Sequence, residues 1–308
     1  MDNEVYELII LGAGPAGTAA GVYAKRKNIK TLMITDGFGG QAVVASKIEN
    51  IIGHPARTGT DLAMAFERHL KAVGMEIIMD RAMKVETDAS GFKISTSNGD
   101  AFLTKNILVA LGSRHRHLNV SGEDKFQGRG IAYCSTCDAP MFKDKIVVVV
   151  GGGNSALNSV MDLLPYASKI HLLAYTEQLV ADLILREKIE KESKVGIILN
   201  AKVSEIKGES DVSGIKYQDL KTNEQKELTA DGVFIHIGMS PNTDIFKGLL
   251  ELNKGGEIIA EPITGKTSVL GIWAAGDITN LPYKQINVAM GDAIRAVLDI
   301  YESFRLEK

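Results

Sequence analysis

The sequence predicts an α/β fold built from two copies of one strand–turn–helix unit, and three features lead to this prediction. A short apolar run, a glycine-rich turn and a helix-forming segment follow one another twice, beginning near residues 6 and 146. Glycine accounts for 31 of the 308 residues, about a tenth where roughly 7% is usual. The length of 308 residues is that of about two domains.

The first copy passes from the apolar run 6–11 through a glycine turn into an alanine-rich helical segment, 18–26. The turn consists of Gly12, Ala13, Gly14, Pro15, Ala16 and Gly17. This G-x-G-x-x-G pattern between strand and helix is typical of a Rossmann-like unit, whose backbone N–H groups approach a pyrophosphate. Asp36 ends the next strand, where a carboxylate that accepts from an adenosine ribose hydroxyl is expected. A simple turn aspartate is the less favoured interpretation.

The second copy has the apolar run 146–150, a second glycine turn and a helical pattern over 157–164. The turn consists of Gly151, Gly152, Gly153, Asn154, Ser155 and Ala156. The following strand carries Ala174 at the position where an acid would bind the ribose of NADH, and Glu177 lies slightly late. The nearest downstream arginine, which the 2′-phosphate of NADPH would need, is Arg186. The second copy therefore predicts a dinucleotide cradle without a clear ribose-binding residue.

The two cysteines of the chain, Cys134 and Cys137, form a single C-x-x-C that Asp138 follows. A helix N-terminus at this point lowers a thiol pKa, and cysteines at this spacing can form a disulfide. Asp138 can carry the proton that the reduced pair requires. Two buried apolar thiols are a less favoured interpretation, and a permanent structural disulfide is disfavoured because so short a loop stabilises little. We therefore predict Cys134, Cys137 and Asp138 as the catalytic residues.

Composition excludes several other classes of protein. With 35 basic and 38 acidic residues the net charge is −3, and aromatic residues make up 6%, so no nucleic-acid partner is expected. No run reaches the 18 or so apolar residues of a membrane helix, and the acidic start, residues 1–4, is unlike a signal peptide. A structural zinc site needs about four ligands, and the six histidines lack metal-binding spacing. A soluble, cytoplasmic protein without a metal or membrane partner is expected.

Two nucleotide cradles and a redox dithiol imply an electron relay. A flavin is the natural middle carrier, because it accepts a hydride from a nicotinamide and passes an electron pair to sulfur.

The sequence resembles the low-molecular-weight thioredoxin reductases, which are FAD-dependent pyridine nucleotide-disulfide oxidoreductases, and the reductase part of the alkyl hydroperoxide reductase flavoprotein. The resemblance covers nearly the whole chain and rests on the two glycine turns, the C-x-x-C-D and five further motifs. Those motifs are Phe38-Gly39-Gly40-Gln41, Glu49-Asn50, the run 237–242, Ala275-Gly276-Asp277 and Pro282-Tyr283-Lys284-Gln285-Ile286. The last motif looks most like the peroxide-system protein, whose extra N-terminal redox domain is not expected to fit within 308 residues.

The resemblance implies two Rossmann-like, three-layer ββα domains, the second inserted into the first. Residues 1–115 and 243–308 would form the FAD-binding domain, and 116–242 the NAD(P)H-binding domain that carries the C-x-x-C. Residues implied for FAD are Gly12, Gly14, Pro15, Ala16, Gly17, Asp36, Gly40, Gln41, Asn50, Gly276, Asp277, Gln285 and Ile286. Residues implied for NAD(P)H are Gly151, Gly153, Asn154, Ser155 and Ala156. Cys137 would face the flavin, Cys134 would attack the partner's disulfide, and Asp138 would be the acid/base.

The implied function is that of a thioredoxin-disulfide reductase, a homodimer acting on a thioredoxin-like or glutaredoxin-like protein. Three alternatives remain: the reductase component of a peroxiredoxin system, a relative with a donor other than a nicotinamide, and a redox-silent FAD-binding or scaffold protein. A ferredoxin–NADP reductase of related fold normally lacks the C-x-x-C. Strong NADPH preference is not expected, because the arginine-bearing motif of NADPH-dependent members is absent after Ala174.

The resemblance also implies that one domain rotates against the other about hinges near 113–117 and 240–242. The basic cluster 114–117 is interpreted as a solvated linker, and His236 as a packed strand residue rather than a catalyst.

Overall fold

The structure, a computed structural model, describes residues 4–45, 47–54 and 56–306. Residues 1–3, which carry most of the acidic start, lie outside the described part. The chain divides into two compact units, Met1–Arg114 with Ser240–Lys308, and His115–Met239.

The helices and strands follow one another in three groups. Before the first crossing between the units these are β1 (Val5–Ala13), α1 (Pro15–Arg26), β2 (Thr31–Phe38), α2 (Gly59–Ala72), β3 (Glu76–Met79), β4 (Ala82–Asp88), β5 (Gly91–Thr96), β6 (Ala101–Val109) and β7 (Ser113–His115). Within the second unit they are β8 (Ile131–Ala132), α3 (Ser135–Asp138), β9 (Ile146–Val150), α4 (Asn154–Leu163), β10 (Lys169–Leu173), α5 (Leu183–Glu190), β11 (Val195–Ile198), β12 (Ala201–Gly208), β13 (Val212–Asp219), β14 (Gln225–Thr229) and β15 (Gly232–Ile235). After the second crossing they are β16 (Met239–Pro241), β17 (Ile272–Ala274) and α6 (Ile286–Leu306).

The sheet of the first unit has the order β3-β2-β1-β6-β5-β4. Strands β3, β2, β1 and β6 are parallel, β17 is parallel to β6, and β5 and β4 continue from β6 as an antiparallel extension. Strand β1 is buried on both faces, as parallel strands usually are. Its Leu8 and Ile10 pack in a cluster with α1 and α6, whereas Ile9 and Leu11 pack with β4 and β5. This alternation yields three layers: helices, parallel sheet and antiparallel sheet.

The second unit repeats this arrangement. Its parallel sheet has the order β11-β10-β9-β15-β8, and β12-β13-β14 form a separate antiparallel sheet. Strand β9 is the predicted run of β-branched residues: Val147 and Val149 face α4 and α5, and Val148 and Val150 face the antiparallel sheet. The predicted fold class, two Rossmann-like three-layer ββα units, is confirmed.

The two segments that cross between the units are neighbouring strands. Strands β7 and β16 form a two-stranded sheet, and beside it Arg116 N donates to Gly238 O at 3.0 Å. The prediction of a solvated linker over 114–117 is wrong in part. Arg114, Arg116 and His117 are exposed, but His115 ends β7 and its ring stacks on Tyr133 at 4.7 Å between centroids.

Across residues 4–45, 47–54 and 56–306, no helix combines the length and the apolar character that crossing a membrane requires.

Candidate dinucleotide cradles and redox-active dithiol

The first glycine turn joins β1 to α1, and its glycines are present for different reasons. Gly12 has φ +97°, and a Cβ there would lie 2.6 Å from Ala110 O. A Cβ at Gly17 would overlap Gly12 O, so this glycine allows the helix to pack closely on the strand. Gly14 has φ −71°, and the nearest heavy atom to its Cβ position is Gly40 Cα at 3.6 Å. This is an ordinary van der Waals distance, so neither the backbone nor close packing requires a glycine at 14. A small residue at this position suits a ligand's pyrophosphate.

Two other predicted segments lie against this turn. The Cβ position of Gly40 is 3.3 Å from Gly14 Cα, and that of Gly276 is 3.1 Å from Ala16 Cβ. Gln41, which follows Gly40, donates its side-chain amide to Ser113 O. The structure therefore brings three separate sequence motifs together around the N-terminus of α1.

Two predicted carboxylates belong to the same unit and differ in surroundings. Asp36, near the end of β2, is exposed, and its Oδ2 accepts from Arg81 Nε at 3.1 Å and Nη2 at 2.9 Å. Asp277 is partly buried, and burial raises its pKa; Lys284 opposes this rise and Asp292 adds to it. The Asp277 carboxyl has no hydrogen-bond partner within the described ranges. A desolvated carboxylate without a donor beside a glycine turn suits a ligand with hydroxyl groups.

The remaining predicted residues of the first unit form a second group. Asn50 Nδ2 donates to Gln285 Oε1 at 3.1 Å, and Asn287 Nδ2 donates to Asn50 O at 2.7 Å. Ile286 packs against a small cluster that contains Ile48. The motif at 282–286 is thus hydrogen-bonded to the motif at 49–50, although 235 residues separate Asn50 from Gln285.

The second glycine turn joins β9 to α4, and its small residues meet backbone and packing constraints like those of the first turn. Gly151 has φ +145°, and a Cβ there would overlap His236 O. Ala156, which replaces the third glycine, is fully buried. Gly153 has φ −98° and ψ −179°, and no heavy atom lies within 4 Å of its Cβ position. Gly153 therefore leaves open space at the position that a pyrophosphate would fill.

The other two predicted residues of this turn are already engaged. Asn154 Nδ2 donates to Asp182 Oδ2 at 3.1 Å, and Asp182 N donates to Asn154 Oδ1 at 2.8 Å. Ser155 Oγ lies 3.2 Å from His236 Nδ1. His236 is packed, as predicted, but it lies one residue beyond the end of β15 rather than within the strand. Burial, with a smaller contribution from His115, lowers the pKa of His236 to about 4, which leaves its ring neutral near pH 7.

Ala174 faces the second turn, because its Cβ lies 3.2 Å from the Cβ position of Gly152. It is fully buried, whereas the chain beyond it, including Glu177, is largely exposed. Large apolar side chains that are exposed in this segment are Tyr175, Val180, Leu183 and Ile184. At the position where an acid or arginine would distinguish a ribose hydroxyl from a phosphate, this chain has only the methyl group of Ala174.

The dithiol lies at the start of α3. Cys134 and Cys137 form a disulfide with 5.3 Å between Cα atoms. Cys134 is the N-cap residue of α3, and its carbonyl accepts from Cys137 N at 3.3 Å and Asp138 N at 3.0 Å. Both cysteines are partly buried. The short helix predicted at this point is present, with the sulfur atoms on its first turn.

Asp138 is poised to exchange a proton near neutral pH. It lies at the C-terminal end of α3, and burial raises its pKa to about 6. A carboxyl with such a pKa is protonated in roughly a tenth of the molecules at pH 7, and it can both donate and accept a proton.

A buried carboxylate supports the residue that precedes the dithiol. Glu123 is 2% exposed and accepts from Tyr133 OH at 3.0 Å, Leu118 N at 3.1 Å and Asn119 N at 2.8 Å. Burial, with the nearby Glu123 charge, raises the pKa of Tyr133. Tyr133 is thereby held on one side of Cys134 by a fully satisfied buried acid.

A second acid, Asp162 on α4, contacts the residues between the cysteines. Its Oδ2 accepts from Ser135 Oγ at 2.8 Å and from Thr136 Oγ1 at 3.3 Å. Sequence reasoning missed Asp162, Glu123 and Arg81, because none belongs to a motif and each acts only through a contact that the fold creates.

Within the described part of the chain, no three histidine, cysteine, aspartate or glutamate side chains form a group that could hold a metal ion.

Two dinucleotide-type cradles and a cysteine pair followed by an acid define the class of disulfide oxidoreductases. A family model described as pyridine nucleotide-disulphide oxidoreductase matches residues 6–293. The chain belongs to this family, whose cofactors are FAD and NAD(P)H, as predicted.

Known proteins that are similar to this chain include two curated relatives and one solved structure. An alkyl hydroperoxide reductase subunit of Pseudomonas putida is 39% identical over 304 residues, covering 97% of this chain and 58% of the relative. A protein named NADH dehydrogenase from Bacillus subtilis (strain 168) is 37% identical over 302 residues, covering 98% and 59%. The crystal structure of thioredoxin reductase from Streptococcus pyogenes MGAS5005 has a TM-score of 0.92 at 33% identity and covers 99% of this chain and all of that one. The chain thus spans less than two thirds of the length of these curated relatives.

Proposed function

We propose that this chain is a thioredoxin-disulfide reductase. Electrons pass from a donor through FAD to the Cys134–Cys137 disulfide, and from the dithiol to a small thioredoxin-like or glutaredoxin-like protein. The observation that carries the proposal is the disulfide at the N-terminus of α3, followed by a carboxyl, Asp138, whose pKa burial raises into the neutral range.

The first unit would hold the FAD. Gly12, Gly14 and Gly17 admit the pyrophosphate to the N-terminus of α1, Asp36 accepts from the adenosine ribose, and Asp277 accepts from ribityl hydroxyls. The fit is supported by Gly14, where neither the backbone nor close packing requires a glycine, and by the Asp277 carboxyl, which lacks a donor within the described ranges. When bound, FAD supplies a carrier that takes up a hydride and releases an electron pair to sulfur.

The dithiol then performs ordinary thiol–disulfide exchange. Two electrons and one proton convert the Cys134–Cys137 disulfide into one thiolate and one thiol, and the Asp138 carboxyl supplies that proton and regains it from solvent. The Cys134 thiolate attacks a sulfur of the partner's disulfide, so that a mixed disulfide forms and a partner thiolate leaves. The proton of the Cys137 thiol passes through Asp138 to the partner thiolate that has left. Cys137, now a thiolate, attacks the Cys134 sulfur, which restores the disulfide and releases the second partner sulfur as a thiolate.

The second unit would bind a nicotinamide dinucleotide, NADH or NADPH, with little preference between them. Gly151, Gly153 and the N-terminus of α4 form the cradle, and the open Cβ position of Gly153 supports a ligand at this point. Ala174 supplies neither the acid nor the arginine by which related sites select a cofactor.

The test compares two single-sulfur variants of the FAD-loaded protein. With NADH or NADPH and a thioredoxin-like protein in excess, Cys134→Ser and Cys137→Ser should both lose turnover. Only Cys137→Ser should accumulate a mixed disulfide with the partner, because it keeps the attacking sulfur and lacks the resolving one. Cys134→Ser that reduces the partner at the wild-type rate contradicts the proposal.

A second candidate is the reductase of a peroxiredoxin system, favoured by the 39% identity to an alkyl hydroperoxide reductase protein. If it holds, the chain should drive peroxide consumption by a peroxiredoxin through a separate small carrier, and it should reduce that carrier faster than a thioredoxin. If the first proposal holds, a thioredoxin-like protein should be reduced at least as fast as that carrier. We also propose that the protein is a homodimer, which sedimentation of the FAD-loaded chain tests.

A further inference from the structure

Helix α4 connects the second glycine turn with the dithiol. Its first residues belong to the turn, and nearer its C-terminal end Asp162 accepts from both residues that separate the two cysteines, Ser135 and Thr136. One carboxylate oxygen, Oδ2, takes both hydrogen bonds. The C-x-x-C segment is therefore fastened, through its two intervening side chains, to an element packed in the core of the second unit.

These hydrogen bonds are not the usual ones at a helix start. Hydroxyls in this region commonly accept from the helix's own backbone N–H groups, whereas Ser135 and Thr136 donate outward to α4. Ser135 is buried, and a hydrogen bond to a charged acceptor is stronger than one between neutral groups. The contact thus restrains the segment from outside α3.

We propose that Asp162 is a positioning residue that holds the reduced C-x-x-C in the conformation from which its disulfide closes again. In the oxidised protein the covalent S–S bond already limits the segment. Once that bond is broken, the hydrogen bonds to Asp162 take over this restraint. Asp162 acts through Ser135 and Thr136, and its place in turnover rests on the function proposed above.

The direction in which the dithiol–disulfide equilibrium shifts follows from the fact that this restraint acts mainly on the reduced segment. Removing the Asp162 carboxylate gives conformational freedom to the reduced segment and little to the oxidised one, so the dithiol gains stability relative to the disulfide. The effective concentration of one thiol at the other falls, and the equilibrium of the pair with a reference disulfide shifts toward the dithiol. The pair should therefore become easier to reduce.

The experiment measures this equilibrium in the FAD-loaded protein without a nicotinamide donor. Wild type and variants are equilibrated in glutathione buffers of graded ratio, quenched with an alkylating reagent, and the state of Cys134 and Cys137 is read by mass spectrometry. For Asp162→Ala we expect the equilibrium constant to shift at least fivefold toward the dithiol. At about 30 mV per tenfold for two electrons, this is roughly 20 mV. Asp162→Asn, which keeps an acceptor oxygen of the same shape, should recover at least half of the shift.

Two further variants keep the test decisive. Ser135→Ala removes one of the same two hydrogen bonds from the other side. Its shift should not add to that of Asp162→Ala, because the Asp162 variant already lacks that hydrogen bond. Ser159→Ala, a change on α4 whose hydroxyl has no partner among the described residues, is the matched control and should leave the equilibrium within twofold of wild type. FAD content and circular dichroism establish that each variant is folded; if Asp162→Ala does not fold, Ser135→Ala carries the test.

Two outcomes overturn the inference. One is an equilibrium within twofold of wild type in the folded Asp162→Ala or Ser135→Ala protein. The other is an Asp162→Asn shift equal to that of Asp162→Ala, which would make the effect one of charge rather than of restraint. Neither depends on thioredoxin turnover, so failure of the proposed function is recognised separately, as a wild-type protein that does not reduce its partner.

Discussion

Replacing Asp138 with asparagine should stabilise the protein at alkaline pH while slowing it as an enzyme. Burial raises the pKa of Asp138 from its ordinary value of 3.8 to about 6. At 1.36 kcal/mol for each pKa unit, ionising this carboxyl in the folded state costs up to about 3 kcal/mol more than in the unfolded chain. The side chain is only partly buried, and solvent screening reduces this, so we expect about 1–3 kcal/mol. Asparagine does not ionise and avoids the cost.

The pH dependence has a definite sign. Below pH 3.8 the carboxyl is neutral in both states and the wild-type protein carries no penalty. As the pH rises from there through about 6, the unfolded chain ionises first and stability falls. Above that range the penalty is complete. The stability advantage of Asp138→Asn should therefore be about a fifth of its full value at pH 4 and reach its full value by pH 8.

Urea unfolding followed by circular dichroism at pH 4 and pH 8 measures this difference. Asp124→Asn, a change of the same kind at an exposed position of the same unit, is the control and should show no such gap. Disulfide reduction by Asp138→Asn should be roughly a hundredfold slower or worse, the usual effect of losing a general acid. A variant no more stable than wild type at pH 8, or equally more stable at both pH values, refutes the reasoning.

Three further predictions concern the cradles. Gly14→Ala should change the stability of the FAD-free protein by less than about 0.5 kcal/mol yet weaken FAD binding at least tenfold, measured by fluorescence titration. Gly12→Ala, at φ +97°, should instead destabilise the fold. Equal FAD affinity of Gly14→Ala and wild type counts against the site. Gly153→Ala should likewise weaken the nicotinamide dinucleotide at least tenfold while FAD binding is unchanged, and unchanged dinucleotide affinity would exclude this cradle. Ala174→Glu should raise the NADH-to-NADPH ratio of kcat/KM about tenfold, which is the effect of one hydrogen bond to a charged group. The new carboxylate would accept from a 2′-hydroxyl and repel a 2′-phosphate. A constant ratio refutes the placement of Ala174 at the ribose of the dinucleotide.

The elements around the two glycine turns were predictable from sequence because local signals agree there. Strands β1 and β9 are apolar on both faces, and each runs directly into a turn whose glycines meet backbone constraints. Helix α1 starts at Pro15 rather than at the predicted residue 18, since proline fits the first helical position. Helix α4 likewise begins within its turn, at Asn154.

What could not be predicted depends on contacts between distant parts of the chain. Asp36 was expected from its position near the end of β2, but its partner Arg81 is 45 residues away, and their meeting depends on the order of the strands. Asp162 lies on the helix of the second turn with no feature that links it to the cysteines. Its role appears only when α3 is placed against α4. His236 was misplaced because an apolar run suggested a strand that ends one residue earlier.

Because β7 and β16 lie side by side, the segment 115–239 is an insertion whose two ends are adjacent, and it is called the cassette below. Neighbouring strands lie about 4.8 Å apart, so the chain leaves the first unit and returns to it at nearly one point. Deleting the cassette would leave two ends that a very short linker can join, and the excised piece would likewise have adjacent termini. We therefore expect that each unit can be produced, exchanged between relatives or circularly permuted as a module.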